Sequence, residues 1–78
     1  DKNFEKYNAK AILQEYTQSL TKETPVYNLI NETGPDHSKT FEVEVSYQGK
    51  VIASGIGKSK KEAEQQAAYS ACKILGAI

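Results

Sequence analysis

The segment Thr40 to Tyr47 reads TFEVEVSY, and its strict alternation constrains the fold more than any other stretch of the chain. Phe41, Val43, Val45 and Tyr47 fall on one side of an extended strand, and Glu42, Glu44 and Ser46 on the other. A period of two with one wet face specifies an antiparallel strand covered on a single side. Gln48-Gly49 then supplies a two-residue hairpin loop, with glycine able to take positive φ. Counting back across that turn pairs Tyr47 with Lys50, Val45 with Ile52 and Phe41 with Ile56. In this register Ile52 and Ile56 share the apolar face of the preceding strand. Upstream, Val26 to Glu32 reads as another strand. The turn-forming cluster Thr33-Gly34-Pro35-Asp36-His37-Ser38-Lys39 separates the two.

Helical patterns flank the strands. From Asn8, an acceptable N-cap, Ile12, Leu13, Tyr16 and Leu20 form a stripe on a 3.6-residue period, and Thr24-Pro25 closes the segment. After Gly55 and Gly57, Ser59-x-x-Glu62 reads as a reciprocal capping box. Ala63, Ala67, Ala71 and Ile74, joined by Leu75, form the buried stripe that follows, and Gly76 is a stop signal. Small residues in that stripe let the helix sit close against a sheet. The order is α-β-β-β-α: an α+β fold with a three-stranded antiparallel sheet and two helices packed on one face. Residues 1–7 read as a linker tail and residues 8–76 as the domain. A start at Asp1 rather than Met suggests a piece of something longer.

The 78 residues suffice for one small domain, not for a catalytic and a binding domain together. The apolar runs are too short for a bilayer span or a signal-peptide core. Catalysis has little support. His37 is the single histidine, and it lies far in sequence from Cys72, the single cysteine, whereas a nucleophilic triad needs an oriented base. Cys72 falls one position off the apolar stripe and reads as a small, half-buried hydrophobe. Glu42 and Glu44 lack the further carboxylates or histidines of a metal site. Gly55-x-Gly57 before a helix lacks the rest of a phosphate loop.

Charge is more informative by position than by sum. Ten basic and ten acidic residues cancel to a net charge of zero, which taken alone argues against nucleic acid. Yet Lys58, Lys60 and Lys61 crowd the start of the last helix, where unpaired N–H groups already concentrate positive charge and acids are preferred. Either this is a solvated cationic turn, or an external anion benefits from it. Glu42 and Glu44 make the opposite sheet face acidic, and that face lacks the aromatic pair of a single-strand stacking platform. An anionic partner would therefore meet the helix side or the edge of the domain.

Pro25-x-Tyr27, Gly34-Pro35-Asp36-His37, Phe41-x-Val43-x-Val45, Gly55-x-Gly57-Lys58-Ser59-Lys60-Lys61-x-Ala63 and Ala67-Ala68 occur in this order. Together they resemble the double-stranded RNA-binding domain family from about Asn8 to Leu75. Leu13-Gln14-Glu15, Gly34-Pro35-Asp36-His37 and Ser59-Lys60-Lys61-Glu62-Ala63-Glu64-Gln65 are most similar to the C-terminal domain of bacterial ribonuclease III. The resemblance implies three contact regions on A-form duplex. Gln14, Glu15 and Gln18 would reach a minor groove, where amides can bond 2′-hydroxyls. Pro35, Asp36 and His37 would form the turn entering the next minor groove. Lys58, Ser59, Lys60 and Lys61 would span the intervening major groove on phosphates.

Two positions depart from the pattern. Ala11 stands where the ribonuclease III pattern usually has threonine, and Glu64 where many members of the family carry lysine. The resemblance further implies a fragment that binds double-stranded RNA with little sequence preference, cleaves nothing alone and needs no cofactor. It also implies a cytoplasmic parent that requires magnesium for hydrolysis and forms a homodimer through its nuclease domain, while the isolated domain is monomeric. The rival expectations are a domain from a non-nuclease RNA-binding protein and a protein–protein module of the same fold.

Overall fold

The computed structural model describes residues 8–77, so the expected linker tail of residues 1–7 lies outside the described residues. The element order is α1 (Ala9–Leu20), β1 (Val26–Thr33), β2 (Thr40–Tyr47), β3 (Lys50–Gly57) and α2 (Lys60–Leu75). The strands form one antiparallel sheet in the order β1-β2-β3. α2 lies across β3 and β2, and α1 packs beside α2. Ala9, Leu13, Val45, Ala67, Ala68, Ala71 and Cys72 make up the continuous core between these layers.

The alternation of β2 survives intact, with Val43, Val45 and Tyr47 buried. Its hairpin to β3 turns through Gln48 and Gly49, at φ 56° and 79°. Positive φ at both central residues matches the strand twist that a two-residue hairpin needs. The register beyond the turn corrects the simple count. Tyr47 faces Lys50 and Ser46 faces Val51, but Val45 faces Ala53, leaving Ile52 without a partner. One extra residue reverses the parity of the rest of the strand. Phe41 therefore faces Gly57, while Ile56 pairs with Glu42 and is exposed. The inward positions of β3 become Ala53, Gly55 and Gly57. β1 carries a second irregularity, with Ile30 as the extra residue between Leu29 and Asn31.

The glycines set the depth of α2. A Cβ on Gly55 would stand 2.2 Å from the Ala67 nitrogen and 2.7 Å from the Ala63 carbonyl oxygen. One on Gly57 would stand 2.7 Å from the Ala63 nitrogen. The helix backbone thus rests directly on the strand backbone. The buried line on α2 runs through Ala63, Ala67, Ala68, Ala71 and Cys72. Ile74, expected inside, is 65% exposed. Four-residue steps advance about 40° around a helix, so the buried line drifts toward Cys72 and Leu75 and leaves Ile74 behind. Cys72 is fully buried, and its thiol reaches the Ala9 carbonyl at 3.6 Å.

α1 differs from expectation in the same way. Leu20, at its last turn, is 58% exposed, and Thr17 is buried instead. The Thr17 hydroxyl donates to the Leu13 carbonyl at 2.9 Å, which makes its burial tolerable. The Tyr47 hydroxyl donates to the Thr17 carbonyl at 3.2 Å and pairs with the Thr21 hydroxyl, fastening the end of α1 to β2. At the far end of α2, Gly76 takes φ 82° and closes the helix onto the Cys72 carbonyl.

The close approach at Gly55 has no slack, because its neighbours there are main-chain atoms. Gly55→Ala is expected to cost about 3 kcal/mol or more, lowering the melting midpoint by about 12 °C or more. Gly49→Ala meets no atom within 4 Å and carries only the strain of positive φ, about 1 kcal/mol. Thermal melts followed by circular dichroism check the contrast, and equal losses would contradict it.

Candidate nucleic-acid interface

Three groups of polar side chains stand exposed on separate elements. Gln14, Glu15 and Gln18 lie on one outward stripe of α1, opposite the buried line of Ala9, Leu13 and Thr17. Gln14 also lines a shallow cleft of about 220 Å³ with Lys10, Thr24, Pro25 and Tyr27. Tyr27 of β1 thus lies across a cleft from the side of α1 that carries Gln14.

The second group is the β1–β2 loop. Gly34 enters it at φ 97°, and a Cβ there would stand 2.6 Å from the Ser38 carbonyl oxygen. The Ser38 N–H donates to the Pro35 carbonyl at 2.9 Å, closing a turn over Asp36 and His37. Lys39 pins the base of the turn, with its ammonium 2.6 Å from Glu32 and 3.8 Å from Asp36. Pro35, Asp36 and His37 are all exposed at the tip.

The third group heads α2. Ser59 is the N-cap, in extended conformation, and its hydroxyl accepts the Glu62 N–H at 3.1 Å. This is the forward half of the expected capping box. The Glu62 side chain instead packs its Cβ and Cγ over Gly57. Lys58, Lys60 and Lys61 are exposed and enter none of the ion pairs among the described residues. Three ammonium groups and the positive end of the helix dipole thus act in one place. The tertiary fold also joins two groups that are some twenty residues apart. Asp36, His37, Ser38, Lys39, Thr40, Phe41 and Lys58 line one open cleft of about 340 Å³.

The two acids of β2 are kept elsewhere. Glu42 and Glu44 pair across the sheet with Ile56 and Ser54, on the face turned away from the helices. Among the described residues no three potential metal ligands come together, and no helix is long and apolar enough to cross a membrane.

The chain has counterparts among known proteins. A family model described as Double-stranded RNA binding motif matches residues 9–75. The chain belongs to that family. Among its relatives, Ribonuclease 3 of Syntrophobacter fumaroxidans is 54% identical over 68 residues, 87% of this chain and 28% of that protein. Ribonuclease 3 of Helicobacter pylori strain Shi470 is 52% identical over 66 residues, 85% of this chain and 28% of that protein. The chain thus spans little more than a quarter of the length of the curated relatives it matches. Dicer from Pichia stipitis superposes with a TM-score of 0.71 at 28% identity, over 86% of this chain and 32% of that one. DRB4 dsRBD2 does so with a TM-score of 0.62 at 38% identity, over 86% and 93%.

Two residues of this double-stranded RNA-binding domain escaped the sequence reading. Lys39 organises the loop, and Lys10 sits one helical turn before Gln14 with its ammonium 2.6 Å from Glu64. Lys10 was legible as a member of the Gln14 stripe by its i, i+4 spacing. Nothing local marked its partner, 54 residues away.

Beneath the Lys10 side chain, the Tyr27 hydroxyl is buried without a hydrogen-bond partner among the described residues. Burial pushes its pKa well above the usual phenol value, and the nearby Cys72 and Glu64 add to the effect. Burial likewise raises the Cys72 thiol. A raised phenol pKa means the folded state keeps the proton that the unfolded chain loses near pH 10. The domain should therefore lose stability as pH rises through and beyond 10. Tyr27→Phe should remove that component, and at pH 7 it should change stability by less than about 1 kcal/mol, since no bond is lost. Denaturant titrations of both proteins at pH 7 and pH 10.5 check this.

Proposed function

We propose that the domain holds duplex RNA for a nuclease of the ribonuclease III type, reading A-form shape rather than sequence. The observation that carries this reading is the cleft shared by His37 and Lys58 at the head of α2. It sets a hydrogen-bonded loop tip beside the cationic helix start, a pairing suited to adjoining grooves. A-form RNA has a deep, narrow major groove that side chains cannot read and a shallow minor groove rich in 2′-hydroxyls. Lys58, Lys60 and Lys61, with the helix start capped by Ser59, would bind phosphates across the major groove. Pro35, Asp36 and His37 would enter one flanking minor groove. Gln14, Glu15 and Gln18 would enter the other, with amides able both to donate and to accept.

The identity to proteins named Ribonuclease 3 supports a parent of that type. In such a parent the domain supplies affinity, and hydrolysis falls to a separate nuclease domain that holds magnesium and forms the homodimer. The fragment alone would be a monomer that cleaves nothing, working in the cytoplasm with its parent.

Lys60→Ala with Lys61→Ala should abolish gel-shift binding to duplex RNA while leaving the circular dichroism spectrum unchanged. Unaltered affinity would remove those lysines from the interface. If about three to five phosphates are neutralised, log affinity should fall with log salt at a slope of about −2 to −4. Duplex RNA should outcompete DNA duplex of the same sequence at matched salt, and equal competition would contradict the 2′-hydroxyl contacts.

A further inference from the structure

Glu64 is the unexplained residue of the interface, an acid in the N-terminal half of a helix whose start is cationic. The structure gives it a structural partner. The Lys10 ammonium lies 2.6 Å from the Glu64 carboxylate, with the two side chains 37% and 23% exposed. The next residue of α2, Gln65, accepts the main-chain N–H of Lys10 at 3.2 Å. The same ammonium stands 5.1 Å from the centre of the Tyr27 ring. One residue of α1 is therefore tied to α2 by both side chain and main chain, and rests on β1.

α1 needs those ties because it brings few of its own. Asn8 occupies the N-cap position but makes no side-chain cap bond, and the first turn of the helix contains no acid. Gln65 satisfies one of the orphan N–H groups at that N-terminus. At the other end, the Tyr16 hydroxyl donates to the Leu75 carbonyl at 2.9 Å. The Lys10 node is the tie nearer to Lys60 and Lys61.

We propose that Glu64 and Gln65 are positioning residues for duplex binding: they hold α1 against α2 so that Gln14 and Gln18 keep a set span from Lys58, Lys60 and Lys61. This rests on the reading of the interface given above. A duplex is a rigid template, and groups already held at its groove spacing bind without further ordering cost. The alternative role for Glu64, a brake that repels phosphate, fits the geometry less well. Its carboxylate is already neutralised by Lys10 and partly covered.

A double-mutant cycle on duplex RNA affinity tests the proposal with Lys10→Ala, Glu64→Ala and the pair together. Each single change should weaken binding about three- to tenfold, the double should be no worse than either single, and the salt slope should be the same in all four proteins. Gln65→Ala, which alters no charge, should weaken binding by a similar factor at unchanged slope. Tighter binding by Glu64→Ala, additive effects, or a slope changed by about one ion would overturn the proposal. So would unchanged affinity in Gln65→Ala. If Glu64→Ala fails to fold, Glu64→Gln together with Gln65→Ala decides the matter by the same criteria. Wild-type protein that does not bind duplex RNA would sink the interface itself, whereas normal wild-type binding with indifferent variants would sink only the positioning role.

Discussion

The contact between the backbone of α2 and the backbone of β3 at Gly55 and Gly57 underlies the rest of the architecture. With no side chain between them, helix and strand approach until main-chain atoms touch. That closeness is why the helix face is made of alanines, and why one thin layer of small residues suffices as a core in so short a chain. It also fixes where the chain emerges. β3 ends at Gly57 and α2 begins at Lys60, so the short connection lies at the rim of the sheet, beside the β1–β2 loop.

The distribution of charge follows from the same layering. One face of the sheet is covered by helices, and Glu42 and Glu44 occupy the other, so acidic groups of β2 point away from the helix start. Lys58, Lys60 and Lys61 are left without acidic partners among the described residues, although the chain as a whole is neutral. Two lysines are spent differently. Lys39 and Lys10 are committed to Glu32 and Glu64, where they hold a loop and a helix in place. These five of the ten lysines thus divide into those held by acids, which shape the candidate interface, and those left free, which suit it to an anion.

The departures from simple pattern reading share a cause. Hairpin counting assumes an unbroken ladder, and Ile52 breaks it, so Ile56 turned outward and glycines turned inward. The helical stripes were right over their middle turns and wrong at their ends. Leu20 lies in the last turn of α1, and Ile74 falls off the drifting line of α2 while Leu75 beside it stays packed on the core; Thr17 and Cys72 meet β2 and α1 and are buried. Likewise, the N-cap of α1 is completed by Gln65 rather than by Asn8. Of the candidate site, the three residue groups were legible, but not the cleft that unites His37 with Lys58.

The sequence by itself determined the element order, the wet and dry faces of β2, the turn at Gln48-Gly49, the cap at Ser59 and the crowding of lysines beside it. These are local properties, written in periodicity, φ preference and neighbouring charge. Only the tertiary structure decided the register of β3, the depth of α2, the burial of Thr17 and Cys72, and the pairing of Lys10 with Glu64 and Gln65. Each of those depends on which residue arrives opposite another across many positions of chain. Bulges, helix drift and close backbone approach set that outcome, and none of them leaves a periodic mark.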